Sequence, residues 1–208
     1  MPLSGRNAAL KITGLAGVAS TDNAATLSGD FLTVSINSTL RKHWDPDQSP
    51  EPSVWLNAST VGVGPYTVNY VQGQFEFTST QNSSGVWTID TDYLTASAVA
   101  GGREWQLNVE QEAFEVTEFG SGGWKQFQPN FAGASVSISR YWNDSDMLDR
   151  LASTGDNRFV VELVVSSANG WRYEGFARVA SDNPQAAVDA IVSESANFVI
   201  DGELYFTT

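Results

Sequence analysis

Apolar and polar residues alternate with a period of two along most of the chain. The alternation is clearest in residues 30–38 (DFLTVSINS), 66–78, 105–109 and 158–166. This period places successive side chains on opposite faces of a β-strand. Clusters of Gly, Asn and Ser, such as residues 168–170, separate the runs and are typical of hairpin turns. The pattern therefore predicts a mainly β fold with antiparallel pairing.

Helical signals are few. Residues 144–153 place Met147, Leu148 and Leu151 on one helix face, with a capping Asn or Asp before them and a glycine after them. A second short helix is predicted after Asn183-Pro184, because proline suits the first helical turn. The sequence thus predicts one clear helix and one weaker one.

Two segments lack regular periodicity. Three prolines make residues 45–53 an irregular, protruding loop. Residues 119–131 (FGSGGWKQFQPNF) are rich in glycine and aromatic residues, and we expect a long loop there.

Similar segments recur in the same order about a hundred residues apart, which predicts repeated structural units. The pairs are residues 10–13 with 114–117, 34–36 with 136–138, 54–60 with 160–166, Trp44 with Trp142, Gly73 with Gly175 and, more loosely, 88–90 with 199–201. Strand sequences also resemble one another in general, because Val, Thr and Phe recur in them. We predict two tandem antiparallel β-sandwich or barrel domains, residues 1–103 and 104–208, with one short flanking helix.

Charge limits the possible partners. The 208 residues carry a net charge of −13, which argues against a surface that grips nucleic acid through Lys and Arg. A like-charged wall would instead let DNA move past without sticking. No apolar run approaches the roughly 20 residues of a membrane span, and no apolar signal core opens the sequence. We therefore expect no membrane span and synthesis in the cytoplasm.

Catalytic residue types are scarce. The chain has one histidine, His43, and no cysteine, which removes the usual nucleophile-base pairs and most zinc sites. The acidic runs at residues 45–51 and 144–149 lack the spacing of a calcium-binding loop. We predict no enzyme activity, no metal and no cofactor. Two carboxylates that meet in space could still hydrolyse a glycoside, so a hydrolase stays an alternative.

Tryptophan is abundant, with seven residues in the chain. Exposed indole rings stack on sugars, so a carbohydrate-binding β-sandwich module on a virion or cell surface is a second alternative. Buried rings fill cores and subunit interfaces. We favour the core interpretation, because Trp44 and Trp142 occupy matching places in the two halves.

The second half resembles a known family through an ordered series of segments. These are residues 124–129 (WKQFQP), 131–133, a Ser/Val strand, Trp142-Asn143-Asp144 before the helix, then 159–165, 173–179 (YEGFARV) and 198–204. The series is similar to the tail tube (major tail) proteins of long-tailed bacteriophages. The resemblance implies a small β-sandwich whose inner sheets join side by side into rings, which stack into a hollow tube for DNA.

The resemblance implies a structural protein of the virion tail that self-associates, contacts other tail proteins and encloses an acidic lumen. A fused pair of tube domains would close the ring with three chains, whereas a single domain would need six. We therefore predict a trimeric ring, with a hexameric ring as the alternative. Four residues are predicted to contact the next stacked ring: Arg6, Arg41, Lys42 and Trp44. They lie in segments that we expect to be exposed, and the first three supply rare positive charge.

Overall fold

The computed structural model describes residues 8–57, 59–60, 65–81, 84–116, 124–153, 157–186 and 188–208. These residues form two compact units. The first unit contains residues 1–99, 158–176 and 205–208, and the second contains residues 100–157 and 177–204. The predicted boundary near residue 103 lies close to the start of the second unit, but later segments of the chain return to the first.

The first unit contains a seven-stranded antiparallel sheet. Its strands are β2 (Val18–Leu27), β3 (Thr33–Ile36), β4 (Ser53–Leu56), β5 (Ser59–Thr60), β6 (Tyr66–Asn69), β7 (Gln74–Phe77) and β8 (Trp87–Tyr93). They lie in the order β5-β4-β8-β2-β3-β7-β6. One face buries a core that includes Trp44, Phe75 and Trp87. The rings of Trp44 and Phe75 pack with centroids 5.4 Å apart, in the range that favours aromatic pairs.

A second group of strands in the first unit includes a strand whose residues are almost all buried, β12. It contains β1 (Ala9–Thr13), β9 (Ala96–Ala98), β12 (Phe159–Ser166), the start of β13 (Trp171–Gln185) and β15 (Tyr205–Thr207). β1 pairs with β12 and β9, and β15 pairs with β13. Gly170 ends the turn between β12 and β13 with φ +74°, a conformation that suits glycine. The hairpin predicted there is confirmed.

The second unit is built on an antiparallel sheet in the order β10-β11-β14-β13. β10 spans Gly102–Glu115, β11 spans Phe127–Tyr141, and β14 spans Ser193–Ile200. β13 contributes its residues after Phe176. One face buries the apolar residues of the inner strands: Val136, Ile138, Ala177, Val179, Ala196, Phe198 and Ile200. The predicted mainly β, antiparallel fold is confirmed.

The one helix among the described residues is α1 (Asp146–Ala152), within the segment predicted to be helical. Asp144 accepts a hydrogen bond from the backbone nitrogen of Asp146 at the start of α1. Met147 is buried as expected. The rest of the predicted apolar face is wrong, because Leu148 and Leu151 are exposed and Arg150 is buried instead.

The second predicted helix is also wrong. Asn183 and Pro184 lie within β13 and pair with Ser195 and Glu194 of β14. Described residues 188–190 then form a turn. The spacing of Val and Ile after Pro184 fits either a helix or a strand. Pairing with β14 makes residues 183–185 part of a strand.

The irregular loop is confirmed for residues 45–52, whereas Ser53 already belongs to β4. The start of the loop is held in place. The Asp45 carboxylate accepts hydrogen bonds from the backbone nitrogens of Gly17 and Asp47. The predicted loop at residues 119–131 lies partly outside the described residues, and its last residues, from Phe127, already belong to β11.

The proposed repeat pairs differ in their surroundings. Trp44 is fully buried, whereas Trp142 is 49% exposed. Gly73 has φ +65° in the turn before β7, whereas Gly175 lies within β13. The tandem duplication stays a prediction.

No helix in the described part of the chain is long and apolar enough to cross a membrane.

Candidate functional site: an open sheet and a buried charge cluster

The surface best placed for assembly is β10, the edge strand of the second unit. None of its fourteen residues is buried, and only Trp105 and Leu107 are even partly covered. Within the described residues, β10 pairs with β11 on one side and with no strand on the other. An edge strand with unpaired backbone groups is a template for pairing with another chain.

The outward face of this sheet is polar. The register aligns Gln106 of β10, Ser137 of β11 and Asn197 of β14 across the sheet. Neighbouring residues of the same face are Glu104, Asn108, Glu110, Ser135, Ser139 and Ser195. Arg178 of β13 lies on the same face, in register with Val199, and pairs with Asp201 over 3.2 Å. The other residues named above are uncharged or acidic, so they offer no cation to a phosphate backbone.

The hairpin of β10 and β11 extends beyond the rest of its sheet. β14 pairs with β11 only from Ser135 to Tyr141, so β11 from Phe127 to Ala134 has β10 as its one partner among the described strands. Phe114, Trp124 and Phe127 are exposed in or beside this two-stranded part. A two-stranded hairpin is marginally stable alone, which indicates that it gains support on assembly.

A buried ion network holds the second unit's sheet and helix together. The Arg140 side chain is 2% exposed, donates to Glu194 and donates to Asp144 over 3.1 Å. Burial opposes the charge of Arg140, but the bonds to Glu194 and Asp144 outweigh it and raise its pKa. Burial and the nearby Glu194 raise the pKa of Asp182 to about 6. Asp182 is therefore partly protonated near neutral pH.

The first unit contains a buried cluster of charged side chains from distant parts of the chain. His43 Nε2 lies 2.7 Å from Glu162 Oε1, and Lys11 Nζ lies 2.9 Å from Glu162 Oε2. Burial alone would raise the pKa of Glu162, but hydrogen bonds from His43 and Lys11 lower it to about 2. Glu162 is thus an ionised carboxylate held between two donors.

The second carboxylate of this cluster is Glu174, which is fully buried. Lys42 and Arg172 both donate to its Oε1, and Thr207 Oγ1 donates to its Oε2 over 3.2 Å. Burial lowers the pKa of Lys42, although Glu174 opposes this effect.

The ligand-type atoms of His43, Glu162 and Glu174 lie within 4.8 Å of one another. They already face the protein's own cations, so this arrangement fits a set of internal ion pairs better than a metal centre.

The four predicted stacking residues occupy three different environments. Arg6 lies outside the described residues. Arg41 is exposed, donates to Asn23 Oδ1 over 2.6 Å and lies over the Tyr93 ring at 5.5 Å. Lys42 and Trp44 are buried. The expected exposure is wrong for Lys42, which Glu174 draws inward, whereas the buried Trp44 ring agrees with the core interpretation of that tryptophan. Contact with a stacked ring stays a prediction.

Sequence reasoning missed two features of the site. His43 was used only to exclude catalysis, and its partner Glu162 lies 119 residues away, a separation that local periodicity cannot bridge. The alternation in residues 105–109 did indicate a strand, but no sequence signal marked β10 as an edge.

The model of the phage tail tube protein family matches residues 86–206, more than half of the chain. The chain belongs to the phage tail tube protein family. The match includes the strands of the open sheet, β10, β11, β14 and β13, and also α1. The resemblance inferred from the second half of the sequence is confirmed.

Two solved structures match part of the chain. One is the tail of an empty gene transfer agent (GTA) particle, obtained by helical refinement with C6 symmetry. The two sequences are 18% identical, the match covers 55% of this chain and 87% of that chain, and the TM-score is 0.47. The other is the virion of a native GTA particle, with 17% identity, coverage of 54% and 89%, and a TM-score of 0.46. No curated protein is significantly similar to the chain.

Family membership makes this chain a structural subunit of a phage tail tube. It belongs to the virion tail, in a family that assembles into oligomeric rings together with other tail proteins. The tail tube family is structural rather than enzymatic in general. The predicted structural function is confirmed.

Proposed function

We propose that this chain forms the rings of the tail tube by pairing β10 with residues 177–185 of β13 in a neighbouring copy. The sheet continues from β13 to β12, so the proposed contact uses only the part of β13 that lies in the second unit. The observation that carries the proposal is the length and exposure of β10, with no buried residue and no second partner among the described strands. Ring closure pairs every such edge and removes the hazard of an open one.

The polar face of the sheet is proposed to line the lumen. Its Ser, Asn and Gln side chains would make no charged contact with DNA phosphates during passage, and Glu104 and Glu110 would repel them. The apolar face is buried already, with Val136 and Phe198 at 1% and 0% exposure. The apolar face is exposed at Val109 of β10, but the polar face is the one that the inner strands leave free for water and DNA.

The number of strands sets the width of the lumen. Adjacent strands lie about 4.8 Å apart and tilt by about 40° in barrels, so twelve strands enclose a backbone diameter of about 24 Å and twenty-four about 48 Å. Side chains take about 5 Å from each wall, which leaves about 14 Å or about 38 Å. The smaller opening is narrower than a DNA duplex.

Each chain contributes four such strands from its second unit, at one end of a sheet that continues from β13 to β12. Six copies would therefore supply twenty-four strands and a passable lumen, while three copies would supply twelve. We favour six copies per ring. Three remain the expectation if the first unit also contributes strands to the inner wall, as the proposed duplication requires.

The remaining parts of the proposal follow from this structural function. The chain is made in the host cytoplasm, acts without catalysis, and meets other tail proteins at the two ends of the tube. Arg41 stays a proposed contact between stacked rings, because its side chain is exposed.

Cysteine cross-linking tests the ring contact without background, because the chain has no cysteine. We would combine Asn183→Cys in β13 with Glu104→Cys, Gln106→Cys or Asn108→Cys in β10, and oxidise assembled protein. At least one pair should give a covalent ladder that ends at six chains. Each single-cysteine variant serves as the matched control and should stop at two chains.

A ladder that ends at three chains would keep the edge contact but support the trimeric ring. Assembled tubes that give no ladder with any of the three pairs would contradict pairing between β10 and β13.

A further inference from the structure

His43 faces a hydrogen-bond acceptor on each side of its ring. Nδ1 lies 2.7 Å from the backbone oxygen of Val71, and Nε2 lies 2.7 Å from Glu162 Oε1. The His43 side chain is only 2% exposed, so water cannot replace either partner freely.

Neither partner can donate a proton to the ring. A backbone carbonyl only accepts hydrogen bonds, so Nδ1 must carry a hydrogen. An ionised carboxylate likewise only accepts, and Glu162 is held ionised by Lys11 at 2.9 Å. Nε2 must therefore carry a hydrogen as well. A neutral ring would point a lone pair at one of these acceptors.

We infer that His43 is a buried imidazolium cation that clamps the segment around residues 42–44 and Val71 to β12, and that loss of its proton loosens the first unit. The clamp is a device separate from the tube contact proposed above. It joins the loop before the irregular segment, the turn between β6 and β7, and the central strand β12.

The charged groups around the ring are consistent with this assignment. Glu162 of β12 contacts the ring directly. A carboxylate oxygen of Glu174 from β13 lies within 4.8 Å of both a His43 ring nitrogen and a Glu162 carboxylate oxygen. The cations are Lys11 of β1, which meets Glu162, and Lys42 and Arg172, which meet Glu174. Each carboxylate thus faces two cations, and His43 is one of them.

The strength of the clamp follows from the charge state of the ring. The clamp acts while the ring carries both hydrogens, and it loses one of its two contacts when either hydrogen is removed. Lys42 also titrates in a buried site, so global stability alone cannot isolate the histidine.

Nitrogen-15 NMR of the full chain tests the inference directly. His43 is the sole histidine, so its ring signals need no assignment by mutation. At pH 7.0, a value that lies above the ordinary titration point, both ring nitrogens should give the shifts of a protonated imidazolium. In Glu162→Gln, the ring should become neutral at the same pH, with Nε2 accepting from the new amide.

Lys42→Gln is the matched control, since it removes a neighbouring cation but keeps both partners of His43. Its ring signals should stay those of the imidazolium. A neutral ring in the unchanged protein at pH 7.0, or an imidazolium that persists in Glu162→Gln, would overturn the inference. Because the readout is local and does not need tubes, failure of the assembly proposal would leave this test intact.

Discussion

β12 and β10 show how differently the two units are completed. Seven of the eight residues of β12 are buried, whereas none of the fourteen residues of β10 is. In the first unit, charged side chains that enter the interior meet opposite charges from the same unit. In the second unit, one long strand keeps an open edge. The comparison teaches that β12 is buried within one chain, while β10 leaves an edge that the proposed ring would pair with a neighbour.

The largest effect should separate the two tryptophans that the repeat pattern matches. Trp44→Ala removes a fully buried ring from the core and should lower the free energy of unfolding by about 3 to 5 kcal/mol. Trp142→Ala, the control at a half-exposed site, should cost less than about 1 kcal/mol. Urea denaturation of both variants measures the difference. Equal costs would contradict the contrast and restore the equivalence of the two sites.

A smaller effect should follow when the buried carboxylate loses its charge. Glu162→Gln should destabilise the protein by about 2 to 4 kcal/mol at neutral pH, because Lys11 and His43 lose their ionised partner. The lowered pKa of about 2 means that this stability is present above the ordinary value of 4.5 and is lost as the pH falls toward 2. The two proteins should therefore converge in acid when melting is followed against pH.

Glu115→Gln provides the control for that experiment. Glu115 pairs with Lys125 at an exposed site, and an exposed pair contributes about 0 to 1 kcal/mol. If the exposed substitution cost as much as Glu162→Gln, burial would not explain the strength of the first cluster.

The smallest effect on stability is expected at Asp182, where the substitution should stabilise the protein, in contrast to the substitutions above. Its pKa is raised from 3.8 to about 6, so the folded state favours the protonated form and stability falls as the pH rises between these values. Asp182→Asn should raise the melting temperature slightly at pH 7 and leave it unchanged at pH 3, below both pKa values. A variant that is less stable at pH 7 would show that the ionised carboxylate is needed.

Local sequence patterns were sufficient for the class of fold but not for its long-range pairing. Period-two alternation identified the strands, and the capped segment before Gly155 identified α1. Residues 183–185 fitted a helix by pattern, but pairing with β14 made them a strand.

The candidate site was less accessible to sequence analysis. Lys42 looked exposed beside three prolines, yet Glu174, 132 residues away, draws Lys42 inward. Local periodicity gives no information about such a partner. The open edge of β10 likewise depends on which strands do not lie beside it, which only the assembled topology reveals.

The most direct test of the assembly account is cryo-electron microscopy of the assembled tail tube at a resolution that traces strands. The account predicts a closed inner wall in which β10 of each chain pairs with β13 of the next, with Gln106, Ser137 and Asn197 facing the lumen. A map that places β10 unpaired on the outer surface, or an inner wall built from other strands, would contradict it.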